Sequence, residues 1–175
     1  MNDVLKWSNE IISKESGHTN YKTEAYYLCA QAYYRLHQYT EVLKLIELYQ
    51  QQANVTNSNN LQTAIYLKAY ATFNLKDYIT SESLYREYID LLGNDTNNST
   101  YPDALNRLGD CLFHERKFQE ASIIYTQVAR LRSIGADYAI LQNGFAIGLM
   151  HQYNRKVEVL MLLTQEYPYS DYADD

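Results

Sequence analysis

The segment that decides the fold runs from Asp103 to Arg132 and reads DALNRLGDCLFHERKFQEASIIYTQVARLR. Its apolar residues recur every three or four positions in two stripes, Leu105/Leu108/Leu112 and Phe118/Ala121/Tyr125/Val128. This spacing is the signature of two amphipathic helices. The residues between the stripes, 114–117, are polar and too few for anything but a tight reversal. The segment is therefore predicted to form an antiparallel helix hairpin.

The hairpin pattern recurs along the chain. An aromatic residue closes each predicted turn at Tyr39, Tyr78, Phe118 and Tyr153, so the intervals are 39, 40 and 35 residues. A small residue is followed twelve positions later by another small residue in three places, at Ala30/Val42, Ala69/Ser81 and Gly109/Ala121. Repetition at this period is typical of a helical solenoid, in which each unit covers the apolar face of its neighbour.

These small residues, the turn aromatics and the stop at Pro168 together resemble the tetratricopeptide (TPR) repeat. The resemblance implies an all-α fold, a right-handed superhelical α-solenoid of stacked antiparallel hairpins. Three residues depart from the pattern. Lys68 and Thr72 replace apolar residues, and Lys156 stands where a small partner for Gly144 is expected.

The chain is predicted to be a single array over 1–175 and a fragment of a longer protein. Asp3-Val4-Leu5-Lys6 reappears as Glu41-Val42-Leu43-Lys44, which opens the second helix of a hairpin. Residues 3–20 are therefore predicted to be the second helix of a truncated repeat. The predicted repeats that follow cover 21–60, 61–100, 101–136 and 137–170, and 171–175 is predicted to start a truncated fifth repeat.

The segment from Tyr167 to Ala173, YPYSDYA, resembles the join between repeats in bacterial cell-envelope TPR proteins. Outer-membrane assembly lipoproteins and the Tol–Pal coordinator are examples. This resemblance implies a periplasmic or envelope-associated location, with a cytoplasmic one left open. Two ends cut within an array would expose apolar surface, so end-to-end self-association through the terminal helices is predicted.

Composition limits the partners. The 175 residues carry a net charge of −6, with both signs spread along the chain, which argues against nucleic acid or an anionic membrane as partner. No run approaches the ~18 consecutive apolar residues of a transmembrane helix. Cys29 and Cys111 fall in different repeats, so they are predicted to be small buried residues rather than a disulfide.

No residues with a catalytic, cofactor-binding or metal-binding pattern emerge. The histidines at positions 18, 37, 114 and 151 show neither an HExxH motif nor a metal-ligand spacing with cysteine. Gly144 to Gly148 lacks the lysine of a phosphate-binding loop. The chain is therefore predicted not to be an enzyme.

Nineteen tyrosines and four phenylalanines are the compositional anomaly. In the family that the chain resembles, inward positions of each first helix meet the ligand. Carried to this sequence, these are Tyr27, Gln31, Tyr34, Arg35, Tyr66, Tyr70, Phe73, Asn74, Asn106, Asp110, Phe113, His114 and Phe145. An aromatic groove suits an extended peptide or a partner helix, and it would also stack sugar rings.

Three functions fit this pattern. The favoured one is a non-catalytic scaffold that binds a protein or peptide in the groove. The second is a structural spacer or self-association segment of a larger envelope protein. The third is the regulatory part of an enzyme whose catalytic domain lies outside this sequence.

Overall fold

The computed structural model describes residues 6–7, 10, 12–13, 19–52, 58–93, 95 and 98–173. These residues form eight long helices and no strand, which confirms the all-α prediction. The helices are α1 (Thr19–Arg35), α2 (Tyr39–Gln50), α3 (Ser58–Asn74), α4 (Tyr78–Leu92), α5 (Tyr101–His114), α6 (Phe118–Leu131), α7 (Ala136–Leu149) and α8 (Tyr153–Glu166).

Some sequence predictions concern residues outside this description. Within the predicted truncated helix at 3–20, residues 3–5, 8–9, 11 and 14–18 are not described, whereas Lys6, Trp7, Glu10, Ile12 and Ser13 are helical. The described residues also exclude 53–57, which covers most of the first Asn-rich connector, as well as 94, 96, 97, 174 and 175.

Four turns of three residues each join consecutive helices into hairpins, and each second helix begins at the predicted turn aromatic. In every turn the middle residue has a positive φ: 57° at His37, 66° at Lys76, 62° at Arg116 and 60° at His151. The next residue donates its backbone N–H to the carbonyl five residues earlier, for example from Lys117 to Leu112 at 2.8 Å. This is the Schellman arrangement that ends a helix.

The chain divides into two compact units, residues 1–84 and 85–175. In the first unit, the core contains Tyr27, Cys29, Val42, Ile46 and Leu67 from α1, α2 and α3. In the second unit, Leu105, Leu112, Tyr125, Val128 and Ile147 are buried. Cys29 and Cys111 are both buried and unbridged, as predicted.

Close packing of two helices in the second unit depends on Gly109. A Cβ atom placed on Gly109 would lie 2.5 Å from Cε1 of Tyr125, so the ring of Tyr125 occupies the space that a side chain would need. Gly144 is covered in the same way, with a Cβ 2.5 Å from Cδ2 of Leu160. Lys156, which the repeat pattern aligns with Gly144, instead lies near Gly148.

The residue that covers Gly109, and likewise Gly144, is therefore sixteen positions downstream rather than twelve. The residue at twelve, Ala121, is buried on the same helix one turn earlier. Its small side chain lets the helices approach, and Tyr125 then fills the space over Gly109.

We predict that Gly109→Ala lowers the free energy of unfolding by about 1–3 kcal/mol, because Tyr125 is fully buried and cannot move aside. Urea denaturation followed by circular dichroism measures the change. Gly148→Ala is the matched control, since its Cβ would meet only the flexible side chain of Lys156 at 3.0 Å. We expect this control to be neutral or more stable by up to about 1 kcal/mol. Equal effects of the two substitutions would contradict the packing described here.

Candidate functional site

Four tyrosines of the first unit gather on one surface, and we name them the tyrosine cluster: Tyr34, Tyr39, Tyr66 and Tyr70. The ring of Tyr70 is central, with centroids 5.1 Å from Tyr34, 6.1 Å from Tyr39 and 6.4 Å from Tyr66. The Tyr34 ring meets Tyr70 edge-on, the geometry that the aromatic quadrupole favours. All four side chains are half-buried, so the cluster is both held by the core and open to a ligand.

Local sequence explains the cluster. Tyr66 and Tyr70 lie four residues apart on α3 and therefore share a helix face. Tyr34 is in the last turn of α1, and Tyr39 follows it across the hairpin turn as the first residue of α2. Tyr39 is not among the groove residues predicted from the sequence, which identifies it as the aromatic residue that closes the turn. Its position just after the turn, five residues from Tyr34, is the signal that could have placed it here.

The hydroxyl of Tyr39 is a hydrogen-bonding group rather than a charge. Burial raises the pKa of Tyr39, and the neighbouring Tyr70 raises it further. A neutral phenol both donates and accepts a hydrogen bond. The Tyr39 hydroxyl already lies 2.9 Å from Nδ1 of His37 in the preceding turn.

Polar residues predicted for the groove flank the cluster. Arg35 and Asn74 are exposed, and Asn74 donates from Nδ2 to the backbone carbonyl of Tyr70 at 2.8 Å. Gln31 donates from Nε2 to the hydroxyl of Tyr27 at 2.9 Å. Tyr27 itself is 6% exposed and packs on Tyr49 with ring centroids 5.4 Å apart. It belongs to the core and supports Gln31 instead of facing a ligand.

Two predicted phenylalanines pack against the hairpin turns. Phe73 meets Tyr78 edge-on with centroids 5.5 Å apart, and Phe113 meets Phe118 in the same way at 5.4 Å. Each pair joins the end of a first helix to the start of the second. Both phenylalanines stay partly exposed, and the neighbouring His114 is exposed. These residues can contribute contact area while they also close the hairpin.

In the second unit, Asp110 is a buried structural residue. Its Oδ1 accepts hydrogen bonds from the hydroxyls of Tyr125 and Tyr138, each at 2.8 Å. Its Oδ2 accepts one from Nη1 of Arg107 at 2.7 Å. Asn106 is also buried and donates to the carbonyl of Gly135 at 3.1 Å. The prediction that Asn106 and Asp110 face a ligand is therefore not supported, because other parts of the same unit cover both side chains.

Electrostatics ties this group together. Burial raises the pKa of Asp110, while Arg107 and the two tyrosine hydroxyls oppose that rise. Burial would lower the pKa of Arg107, but the carboxylates of Asp110 and Asp103 raise it by more, so the guanidinium stays charged. Burial, followed by the charge of Asp110, raises the pKa of Tyr125 and Tyr138. Both phenols thus remain donors to Asp110.

Phe145 on α7 lies apart from these groups. It is 40% exposed, and Nζ of Lys156 is 5.8 Å from its ring centroid, within cation–π range. Within the described ranges, no three histidine, cysteine or carboxylate side chains gather closely enough to hold a metal ion. Among the same residues, no helix is long and apolar enough to cross a bilayer.

Solved structures share this fold. YrrB, described as a TPR protein with an unusual peptide-binding site, aligns with a TM-score of 0.77 at 19% identity, over 98% of this chain and 82% of its own. The apo form of RapI aligns with a TM-score of 0.77 at 10% identity, over 97% of this chain and 49% of its own. A putative kinesin light chain of Podospora anserina with nearly identical TPR-like repeats aligns with a TM-score of 0.68 at 13% identity, over 88% of this chain and 78% of its own.

The chain therefore has the fold of the TPR α-solenoid proteins, which confirms the fold predicted from the sequence. No protein-family profile and no curated protein sequence matches it. At identities of 10–19% the three structures establish the fold, and the function has to be argued from the surface of this chain.

We predict that Asp110→Asn lowers the free energy of unfolding by about 1.5–3 kcal/mol. The carboxylate accepts from three donors, and an amide would turn a donor of its own toward either Arg107 or the tyrosine hydroxyls. Asp103→Asn is the matched control. That carboxylate is 42% exposed and lies 3.7 Å from Nε of Arg107, so its loss should cost less than about 1 kcal/mol. Urea denaturation compares the two, and equal losses would contradict a structural role for Asp110.

Proposed function

We propose that this chain is a non-catalytic interaction module that binds an extended peptide or a partner helix on the surface of the first unit. The binding surface consists of the tyrosine cluster and the flanking residues Gln31, Arg35 and Asn74. The observation that carries the proposal is the set of three ring contacts around Tyr70, which holds four tyrosines together while leaving them partly exposed.

Tyrosine suits this task because it offers a large contact area at a small cost in conformational entropy. Rings that already pack on one another lose little further freedom when a ligand arrives. The hydroxyls can bond to peptide N–H and C=O groups, and the exposed guanidinium of Arg35 can pair with a carboxylate. The peptide-binding site described for YrrB supports a peptide as the ligand class.

The other groove residues have graded roles in this proposal. Phe73 has accessible surface in the first unit and extends the apolar contact of the tyrosine cluster. Phe113, His114 and Phe145 have accessible surface within the second unit. Tyr27, Asn106 and Asp110 act from inside by holding their neighbours in place.

We predict that the double substitution Tyr34→Ala and Tyr70→Ala weakens peptide binding by this surface. Peptides selected from a random displayed library on the wild-type chain serve as probes, and fluorescence anisotropy measures their affinities. We expect a loss of at least about tenfold, since burial of each aromatic anchor typically contributes 2 kcal/mol or more. Tyr169→Ala is the control, because Tyr169 is 98% exposed and lies outside the cluster. Selected peptides that bind the double variant as tightly as the wild type would rule out the tyrosine cluster as their site.

A second function, self-association through α8, is supported by a different observation. Tyr153, Val157 and Met161 are 62%, 57% and 52% exposed and lie four residues apart. They form one apolar face on α8. In the preceding hairpin of the second unit, the next helix, α7, covers one face of α6. The corresponding face of α8 can be covered in the same way by a helix of another molecule.

We predict a concentration-dependent increase in sedimentation coefficient for the wild-type chain. Val157→Glu together with Met161→Glu should keep the protein monomeric, because two charges would have to be buried in the contact. Glu158→Gln, an exposed change on the same helix, is the control. A wild-type chain that sediments as a monomer at millimolar concentration would contradict this second function.

An envelope-associated location is also part of the proposal and depends on the resemblance of YPYSDYA at 167–173 to joins in envelope TPR proteins. In the structure, Ser170 donates from Oγ to Oδ2 of Asp137 at 2.7 Å and accepts from the N–H of Tyr172. The segment thus contacts the start of α7. Fractionation of the native cells, followed by immunodetection, determines the location directly.

A further inference from the structure

A second groove lies in the second unit between α6 and α8, with α7 as its floor. It comprises two adjoining cavities of about 530 and 380 Å³. Thr126, Arg130 and Arg155 line both cavities, so the two are continuous. Together with Arg132, which lines the second cavity, these arginines define what we name the arginine groove.

The polar side chains at the base of the groove, which come from α6 and α7, hydrogen-bond to one another. Ser122 donates from Oγ to Oδ1 of Asn143 at 2.7 Å. Asn143 donates from Nδ2 to Oγ1 of Thr126 at 3.0 Å, and Thr126 donates to the carbonyl of Ser122 at 2.7 Å. Because these groups hydrogen-bond to one another, they contribute little to ligand binding. Recognition therefore depends on the walls.

The walls are positively charged. Arg132 pairs with Glu166 at 3.2 Å, and Arg155 donates to the neutral amide oxygen of Gln152 at 3.1 Å. Arg130 is exposed and makes no ion pair or hydrogen bond among the described residues. Three guanidinium groups thus face one carboxylate in a chain whose net charge is −6. The groove is a local positive site on an acidic protein.

Apolar side chains lie beside these charges. Ile123 on α6 is 58% exposed and Leu162 on α8 is 42% exposed, and each lines one of the two cavities. A ligand that fits must offer carboxylates to the arginines and apolar groups to these two residues. Guanidinium groups bind carboxylates through paired, charge-assisted hydrogen bonds, which gives direction as well as attraction.

We propose that the arginine groove binds an acidic amphipathic peptide segment. Its carboxylates pair with Arg130 and Arg155, and its apolar residues, spaced three or four apart, contact Ile123 and Leu162. This is the helix-in-groove mode of recognition, in which the charge of the rim selects the partner. The site is separate from the tyrosine cluster, so either proposal can fail without the other.

Nucleic acid is the alternative source of negative charge. Three arginines, one of them already paired with a carboxylate, are few for a phosphate backbone, and the acidic chain around them repels a polyanion. Ile123 and Leu162 also give a phosphate backbone nothing to contact. An acidic peptide uses both the charged and the apolar walls.

The test uses a fluorescein-labelled 14-residue peptide with leucine at every third or fourth position and glutamate elsewhere. A peptide with glutamine in place of glutamate and a 14-nucleotide oligothymidine serve as comparison probes. Fluorescence anisotropy is measured on the wild-type chain, on Arg130→Gln/Arg155→Gln, and on Arg116→Gln as a control at an exposed arginine of a hairpin turn.

We expect the wild type and Arg116→Gln to bind the glutamate peptide equally, and the double variant to bind it at least about tenfold more weakly. The glutamine peptide should bind the wild type more weakly than the glutamate peptide does, by a similar factor. Should the double variant lose helicity in circular dichroism, Ile123→Glu tests the same groove from an exposed position through charge repulsion. The proposal is overturned if the glutamate peptide shows no micromolar binding, if the groove variants bind it normally, or if oligothymidine binds more tightly.

Discussion

One residue in the left-handed conformation closes each of the four helix hairpins, and the rest of the architecture depends on it. At His37, Lys76, Arg116 and His151 the positive φ directs the chain back toward the helix it has just left. The following residue then bonds to a carbonyl in the last turn, which fixes where the first helix ends. The aromatic residue that starts the second helix consequently lies close to the turn, where Tyr78 meets Phe73 and Phe118 meets Phe113 at the end of the first helix.

Because each hairpin places an aromatic residue at the start of its second helix, the turns could be predicted although none of them contains glycine. A left-handed C-terminal residue is usually glycine or asparagine, and here it is histidine, lysine or arginine, so the usual marker is missing. The regular spacing of aromatic residues provided the signal instead. Each of these aromatics packs on a ring or a histidine beside the turn, as Phe118 does on Phe113 and Tyr153 on His151. Because these contacts join residues that are close in sequence, they recur at the same place in every repeat, and the sequence alone predicts them.

The burial of Asp110 could not be predicted in the same way. Its position on α5 matches an inward-facing position of the repeat, yet the hydroxyl of Tyr138 reaches it from 28 residues away. Tyr125 reaches it from fifteen residues away because Gly109 allows the ring to lie close. Helix periodicity tells which face a residue occupies, but it does not tell how long the side chains of the next hairpin are. The same reason accounts for Gly144, whose neighbour Leu160 is one turn beyond the residue that the repeat pattern indicates.

The surroundings of the tyrosines explain why some predicted groove residues are buried and others stay exposed. In the second unit, the rings of Tyr125 and Tyr138 point their hydroxyls inward to a buried carboxylate, which converts predicted ligand contacts into structure. In the first unit, Tyr34 and Tyr66 each pack on Tyr70 and leave surface available. A buried acceptor draws the phenol into the core, whereas a neighbouring ring holds it at the surface.

The net charge of the chain does not reveal where its charged side chains come together. A net charge of −6 predicts that the chain as a whole disfavours polyanions, but it does not reveal that Arg130, Arg132 and Arg155 converge between α6 and α8. These residues are distant in sequence by up to 25 positions and meet because the two hairpins of the second unit stack side by side. The fold thus creates a positive groove from scattered charges. A short acidic segment can use that groove, because its few charges are attracted locally while its small size limits repulsion by the rest of the protein.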